Sequence, residues 1–374
     1  MAKTTTSGKR PAEIARRLAG LRRLRRRRRV GAVLLTNPHN VRYFSGFTGE
    51  DSFLLAGRRW VRLLTDGRFT QQARVECPHI RAIVRNGRMV DAVTAALAGR
   101  RVRRLGIEGS HVSVRLQAEL DKALGKARTK PFKGEIDALR EIKSPLELRA
   151  IRRAVAVAEG AFAALIAGGR GRFIGRTERE VAAELEYLMR MRGAERASFE
   201  TVVAAGAHSA MPHYRAGETR IRRGQIVLID WGAVVAGYCS DLTRVVFTGR
   251  ISPQIAAIYE TVLCAQRAAL AAVRPGERCG SPDAAARKVI AAEGYGQAFI
   301  HGLGHGIGLE VHELPALAPG RRQRLRPGMV ATVEPGIYLP GVGGVRIEDD
   351  VLVGARGPRR LGRLPRELEA MKLR

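Results

Sequence analysis

Short apolar runs and helix-period stripes alternate through the first third of the chain. VGAVLLT (30–36), DSFLLAG (51–57), WVRLLTD (60–66) and LGIEG (105–109) are rich in branched aliphatic residues and are bounded by polar or turn-forming positions, which predicts strands. Helical spacing falls near 89–98 and 114–124, and Ile14, Leu18 and Leu21 mark one face of a helix ahead of the first strand. Strands alternating with helices predict an α/β domain with a mixed sheet over residues 1–134.

A different rhythm follows KPFKGEIDALREIKSPLELRAIRRA, read as the boundary segment. Ser144-Pro145 with Glu147 supplies an N-cap, a proline in the first turn and a capping-box glutamate. From there Leu148, Ile151, Val155, Phe162 and Leu165 predict one long helix that stops at Gly168-Gly169. Further helices are expected from Thr177 to Gly193, from Ser252-Pro253 past Leu270, and from Ser281-Pro282 to Gly294. Between and after them lie β-rich runs with hairpin punctuation. Helices grouped against a mostly antiparallel, curved sheet make residues 135–374 an α+β domain.

One of those runs carries unexpected charge. VLIDWGAVVAGYCSDLTRVV (227–246) is apolar at both ends and turns around Val235, Ala236 and Gly237, yet holds Asp230 in one arm and Asp241 in the other. A fold-back centred between Val235 and Ala236 makes the two aspartates direct cross-strand neighbours, with Cβ atoms about 5 Å apart, where like charges repel. A shared proton, an intervening cation, or a water-exposed hairpin would each reconcile them.

Downstream, FIHGLGHGIGLEVHE holds His301, His305 and His312 among Gly302, Gly304, Gly306 and Gly308. The glycines argue for extended chain with something in close approach, and place His301 and His305 on one face. Glu334 ends the apolar run MVATVE. In GGVRIEDDVLV, Val345 and Ile347 take one face of a strand while Arg346 and Glu348 take the other. An unpaired carboxylate inside core-like sequence is costly. Two Asp, two Glu and one His form an oxygen-rich donor set that favours Mn²⁺, Co²⁺ or Fe²⁺, and five ligands suit two metals sharing carboxylates.

Composition adds less. The formal charge of +31 over 374 residues is almost wholly arginine, with nine lysines among the 66 cations. The run Arg25–Arg29 has no interleaved aromatics to stack on bases, so solvated faces are expected and nucleic acid is not an expected partner. Cys77, Cys239, Cys264 and Cys279 lack CxxC spacing and fit a reducing compartment. No run of eighteen apolar residues predicts a membrane span, and MAKTTTSGKRPAEIARR lacks an apolar leader core, so a cytoplasmic location is expected.

The ordered set Asp230, Asp241, His305, Glu334 and Glu348 resembles the ligand signature of the pita-bread metallopeptidases, the family of methionine aminopeptidase, aminopeptidase P and prolidase. GYCSDLTR, GLGHGIGLEVHE, VEPGIY and GGVRIEDD are similar to its proline-specific branch, and NPHNVRYFSGFTGEDSFLLAG with LLTDGRF resembles the creatinase-type N-terminal domain. The likeness covers nearly the whole chain. It implies an N-terminal creatinase/prolidase-like domain over 1–134 and a catalytic pita-bread domain over 135–374.

Carried over residue by residue, the resemblance implies two divalent ions per subunit, Mn²⁺ foremost, bridged by Asp241 and Glu348. Asp230 would complete one site, and His305 with Glu334 the other. A metal-bridging hydroxide would attack the Xaa-Pro bond, Glu334 would shuttle the proton, and His213 and His312 would stabilise the tetrahedral intermediate. His301, Tyr338 and Arg346 would line the proline side or orient ligands, and a homodimer is implied. Some prolidases carry an arginine at the position of Ala316 to hold a dipeptide carboxylate, so this alanine favours an Xaa-Pro aminopeptidase acting on longer peptides. The alternative is an Xaa-Pro dipeptidase. A more remote one is a basic, non-catalytic pita-bread binding protein, against which the intact ligand set argues.

Overall fold

A computed structural model describes residues 9–374, so part of the N-terminal stretch read for a leader lies outside the described residues. The chain divides into two compact units, one ending at Leu139 and the other Arg140–Arg374.

In the first unit, helix α1 (Lys9–Arg27) leads into β1 (Ala32–Leu35), with Ile14, Leu18 and Leu21 buried as their spacing requires. Then come α2 (Pro38–Ser45), β2 (Phe53–Ala56), β3 (Val61–Thr65), α3 (Thr70–Glu76), β4 (Arg81–Val84), α4 (Met89–Leu97), β5 (Arg104–Glu108), α5 (Val114–Leu124) and β6 (Arg128–Phe132). The sheet order is β4-β3-β2-β1-β5-β6. All strands run one way except β2, which is antiparallel to both neighbours, so the sheet is mixed. Leu34, Leu55, Leu64, Leu105 and Ile107 pack with Val93, Leu97 and Leu120 of the α4 and α5 helices. The boundary segment begins with a strand rather than a linker: β6 contains Pro131, which the outermost strand of a sheet tolerates.

The second unit begins with α6 (Pro145–Ala167), opened by the expected capping box of Ser144 and Glu147. A second box, Thr177 with Glu180, opens α7 (Glu178–Met191). The strands β7 (Arg196–Ala197), β8 (Val202–Ala205), β9 (Ile226–Trp231), β10 (Ala233–Val235), β11 (Tyr238–Cys239) and β12 (Leu242–Phe247) follow. Next are α8 (Pro253–Ala272) and α9 (Gly280–Ala292), the latter starting just ahead of the expected Ser281. Among the described residues α8 alone is long and apolar enough to cross a membrane, and it places Ile258, Tyr259, Val262, Ala265 and Ala269 in the core instead.

The remaining strands are β13 (Gly304–Gly306), β14 (Glu313–Leu317), β15 (Val330–Val333), β16 (Gly336–Leu339), β17 (Gly343–Arg346), β18 (Asp349–Gly354) and β19 (Gly357–Arg360). One antiparallel sheet runs β12-β9-β8 and another β14-β13-β15-β18-β19. A bridge between Thr243 and Glu348 joins the two.

The aspartate hairpin differs from its expected register. Ala236 and Gly237 form the two-residue turn, with φ of 51° and 78°, the paired left-handed conformation that suits the twist of a hairpin. Val235 therefore faces Tyr238, and Asp230 faces Thr243 rather than Asp241. The register moves by two residues, so both aspartates stay on one face as diagonal neighbours.

Candidate metal centre and its cavity

Four of the five expected ligands sit where a strand ends or begins, and His305 sits within a three-residue strand. Asp230 lies near the end of β9, Asp241 directly before β12, His305 in the centre of β13, Glu334 directly after β15, and Glu348 between β17 and β18. The glycines around His305 are explained by backbone crowding: a Cβ on Gly304 would collide with the carbonyl of Thr332, and one on Gly306 with that of Leu314. All five ligands, with His213, His301, His312 and Arg346, line one cavity of about 520 Å³ within the second unit. Donor atoms of Asp241, His305 and Glu348 lie within 4.8 Å of one another.

Tyr338 does not line the cavity. It is buried behind the wall, where its hydroxyl accepts from Arg346 Nη1 (2.8 Å) and meets His301 Nε2 at 2.9 Å. Because His301 Nδ1 faces the Gly302 carbonyl (2.8 Å), it must carry the proton, leaving Nε2 to accept from Tyr338. Burial lowers the His301 pKa to about 4, keeping the ring neutral.

Arg346 is the partner that the hairpin alone did not supply. Its Nη2 reaches Asp230 Oδ2 at 2.5 Å and its Nε donates to Thr243 Oγ1 at 3.0 Å. With three donors so engaged, it orients carboxylates rather than gripping substrate. Thr243 passes the contact on, donating to Glu348 Oε2 at 2.6 Å. Thr332 plays the same part nearby, accepting from His305 N (3.0 Å) and donating to Glu334 Oε1 (2.9 Å). Asp350 Oδ2 accepts from the Asp241 backbone N–H at 3.0 Å. These three residues escaped sequence reading, since a threonine or second aspartate in a buried strand carries no signal until its neighbour is known.

The histidines at the rim are anchored from below. His213 follows a loop held by Glu178, a fully buried carboxylate at the start of α7 that accepts from Ala205 N (2.8 Å) and Tyr214 OH (2.7 Å) and contacts His208 Nδ1 at 3.0 Å. His312 precedes Glu313, which is locked by Lys143 Nζ at 2.8 Å and Arg140 Nε at 3.4 Å. Sequence reading singled out neither Glu178 nor Lys143, which stand beside helix caps and carry no periodic signal of their own.

The donor set fits divalent ions. Asp230, Asp241, Glu334 and Glu348 are gathered around one arginine, an excess of negative charge that burial makes expensive. Burial, then repulsion from neighbouring carboxylates, raises the pKa values of Asp241 and Glu348 well above the ordinary range. Glu334 is pushed up to about 7, chiefly by burial. Asp230 Oδ1 is buried with no hydrogen-bond partner among the described residues. His305 Nδ1 faces the Gly306 carbonyl (3.1 Å), so the unprotonated Nε2 points at Asp241 Oδ2 (3.6 Å) and Glu334 Oε1 (3.4 Å). A lone pair aimed at two carboxylates calls for a cation between them.

Such a site on this two-unit scaffold defines a metal-dependent hydrolase. Residues 149–355 match the model of metallopeptidase family M24, and residues 17–142 that of the creatinase/prolidase N-terminal domain. The chain belongs to metallopeptidase family M24, with the pita-bread catalytic fold preceded by a creatinase-type domain. It is 40% identical to the Xaa-Pro dipeptidase of Pyrococcus horikoshii, over 91% of this chain and 94% of that one. It also resembles the solved Xaa-Pro dipeptidase of Bacillus anthracis (TM-score 0.92, 36% identity, 96% of this chain and 100% of that one). The X-Pro aminopeptidase structure from Thermotoga maritima is similar too (TM-score 0.87, 36% identity, 94% and 98% covered).

The expectation of an aminopeptidase needs correction, because these likenesses favour the dipeptidase alternative. Its premise was that a cation must stand at Ala316. Ala316 pairs with His305 on β14 and does not line the cavity, whereas Arg215 does.

Proposed function

We propose that the protein is an Xaa-Pro dipeptidase that uses two divalent ions, Mn²⁺ foremost. The observation carrying this reading is the convergence of five ligands and three histidines on one cavity with an arginine at its rim. Asp230, Asp241, His305, Glu334 and Glu348 would hold the ions, and donor atoms of Asp241, His305 and Glu348 already lie within 4.8 Å of one another. Ions held there supply Lewis-acid polarisation of an amide and a water acidified to near neutrality.

The chain's own residues do the rest. Glu334, on the cavity wall beside the ions, can accept a proton from the attacking water and return it to the leaving proline nitrogen. His213 and His312, both exposed on the cavity wall, can donate to the developing oxyanion. The Xaa-Pro amide lacks an N–H, so recognition cannot depend on that donor. Arg215 takes the role that Ala316 does not: its only ion pair among the described residues is with Glu200 (3.3 Å), an exposed pair that a substrate carboxylate can displace. A two-fold homodimer belongs to the same reading, and light scattering that finds only monomer at micromolar concentration would remove it.

Hydrolysis of Ala-Pro against Ala-Pro-Ala tests the substrate directly. The dipeptide is expected to be cleaved with the higher kcat/KM. Arg215→Ala should raise KM for Ala-Pro about tenfold or more, the loss of one charge-assisted hydrogen bond, and leave Ala-Pro-Ala little changed. Preference for the tripeptide by the wild type would make the enzyme an aminopeptidase.

A further inference from the structure

The fold sorts the arginines of the first unit in a way their sequence positions conceal. Up to Leu139 the chain holds 31 lysines and arginines against 11 acidic residues, so +20 of the net +31 belongs to this unit. Because β1, β3, β4, β5 and β6 run one way, the segments that lead into them meet along a single edge of the sheet. The β2–β3 turn joins them there. Those segments, 25–31, 57–62, 77–81, 98–104 and 125–128, contain fifteen arginines and lysines and no aspartate or glutamate. Acidic residues gather at the opposite edge, with Glu50 and Asp51 ahead of β2, Asp66 after β3, Glu108 ending β5, and Glu135 and Asp137 after β6.

Strand pairing forces cations against each other on the basic edge. Arg62 stands opposite Arg81, and Arg104 opposite Arg128, positions where like charges destabilise a sheet. Arg28 turns away to Glu135 at 3.3 Å; among the described residues no other member of the edge makes an ion pair. Burial and then the charges of Arg81 and Arg100 lower the pKa of Arg62, which reports the same crowding. A row of repelling cations of which, among the described residues, only Arg28 has a carboxylate partner is stabilised by a polyanion.

We propose that this strand-start edge binds the phosphate backbone of duplex nucleic acid without reading sequence. Guanidinium forks match phosphate oxygens better than ammonium groups do, and fourteen of the fifteen cations are arginine. Six strands spaced about 4.8 Å apart make an edge of roughly 24 Å, the length of about seven base pairs at 3.4 Å each. The row has no exposed aromatic stripe, which disfavours single strands. The large exposed apolar residues of this unit, Val75, Val84 and Val114, lie outside the edge segments, so nothing there would insert into a bilayer.

The test is fluorescence anisotropy of the full-length protein with a labelled duplex of arbitrary sequence, about 20 base pairs long, across roughly 50–200 mM KCl. One variant carries Arg58→Gln, Arg59→Gln, Arg101→Gln and Arg103→Gln, all exposed on the edge. A control with the same charge change carries Arg68→Gln, Arg85→Gln, Arg88→Gln and Arg115→Gln, each ion-paired outside the edge. The edge variant should weaken binding by about tenfold or more and flatten the salt slope by about three to four, at roughly 0.9 per lost phosphate contact. The control should change little, and both should keep Ala-Pro hydrolysis. Equal weakening by the two variants, or no duplex binding at about 100 mM salt, overturns the proposal. Capture by phosphatidylserine vesicles without duplex binding overturns the choice of partner.

Discussion

Thr243→Val isolates the link between a supporting side chain and the metal centre. The substitution keeps the shape of a fully buried residue and removes a hydroxyl that donates to Glu348 at 2.6 Å while accepting from Arg346 at 3.0 Å. Without it, Arg346 Nε loses its partner inside the protein, at a cost of about 1–3 kcal/mol. For a domain of this size about 2 kcal/mol corresponds to a fall in Tm of roughly 4–8 °C. Glu348 also loses the contact that fixes its carboxylate, and loss of such an outer contact lowers metal affinity about 10–100-fold. Competition against a chromophoric chelator reads the affinity, and scanning calorimetry of the metal-free protein reads the stability. Thr243→Ser, which keeps the hydroxyl, should stay near wild type in both. Wild-type metal affinity in Thr243→Val would refute the claim that this hydroxyl positions Glu348.

Lys143→Met breaks a buried pair with Glu313 at 2.8 Å and should destabilise the protein by about 3–5 kcal/mol, read by denaturant unfolding. Adding Glu313→Gln should recover much of that stability, but kcat for Ala-Pro should remain low because the chain beside His312 stays unanchored. In the metal-free protein Glu334 has a pKa raised from 4.5 to about 7. Its contribution is thus present at low pH and lost as pH rises through 7, by roughly 3 kcal/mol at about 1.36 kcal/mol per unit. Unfolding midpoints should therefore fall as pH rises from about 4.5 to about 7 without metal, and saturating Mn²⁺ should abolish that fall; a pH-independent midpoint in the metal-free protein would contradict the burial of Glu334.

The catalytic half was legible because its signals are local and redundant. Serine or threonine caps followed by glutamate opened α6 and α7, carboxylates interrupting apolar runs marked the four acidic residues that line the cavity, and the glycine-interleaved histidine run marked His305. The hairpin register was misplaced because alanine rarely adopts a left-handed φ, yet Ala236 does. The shift of two preserved which face each aspartate takes, so the chemistry survived the error. Thr243 and Glu178 were hidden for another reason: their roles depend on partners about thirty to a hundred residues away, which no periodicity encodes. In the first unit α2, α3 and β4 were too short to show a period, and β6 was obscured by Pro131. The arginine edge was invisible because strand direction is a property of the fold.

Metal stoichiometry measured together with turnover tests the central claim most directly. Protein stripped with a chelator and dialysed should have no Ala-Pro hydrolysis, and stepwise addition of Mn²⁺ should restore it as elemental analysis approaches two ions per chain. Asp241→Asn should retain fewer ions and little activity. Full hydrolysis by the metal-free protein, or two tightly held ions in Asp241→Asn, would contradict the account.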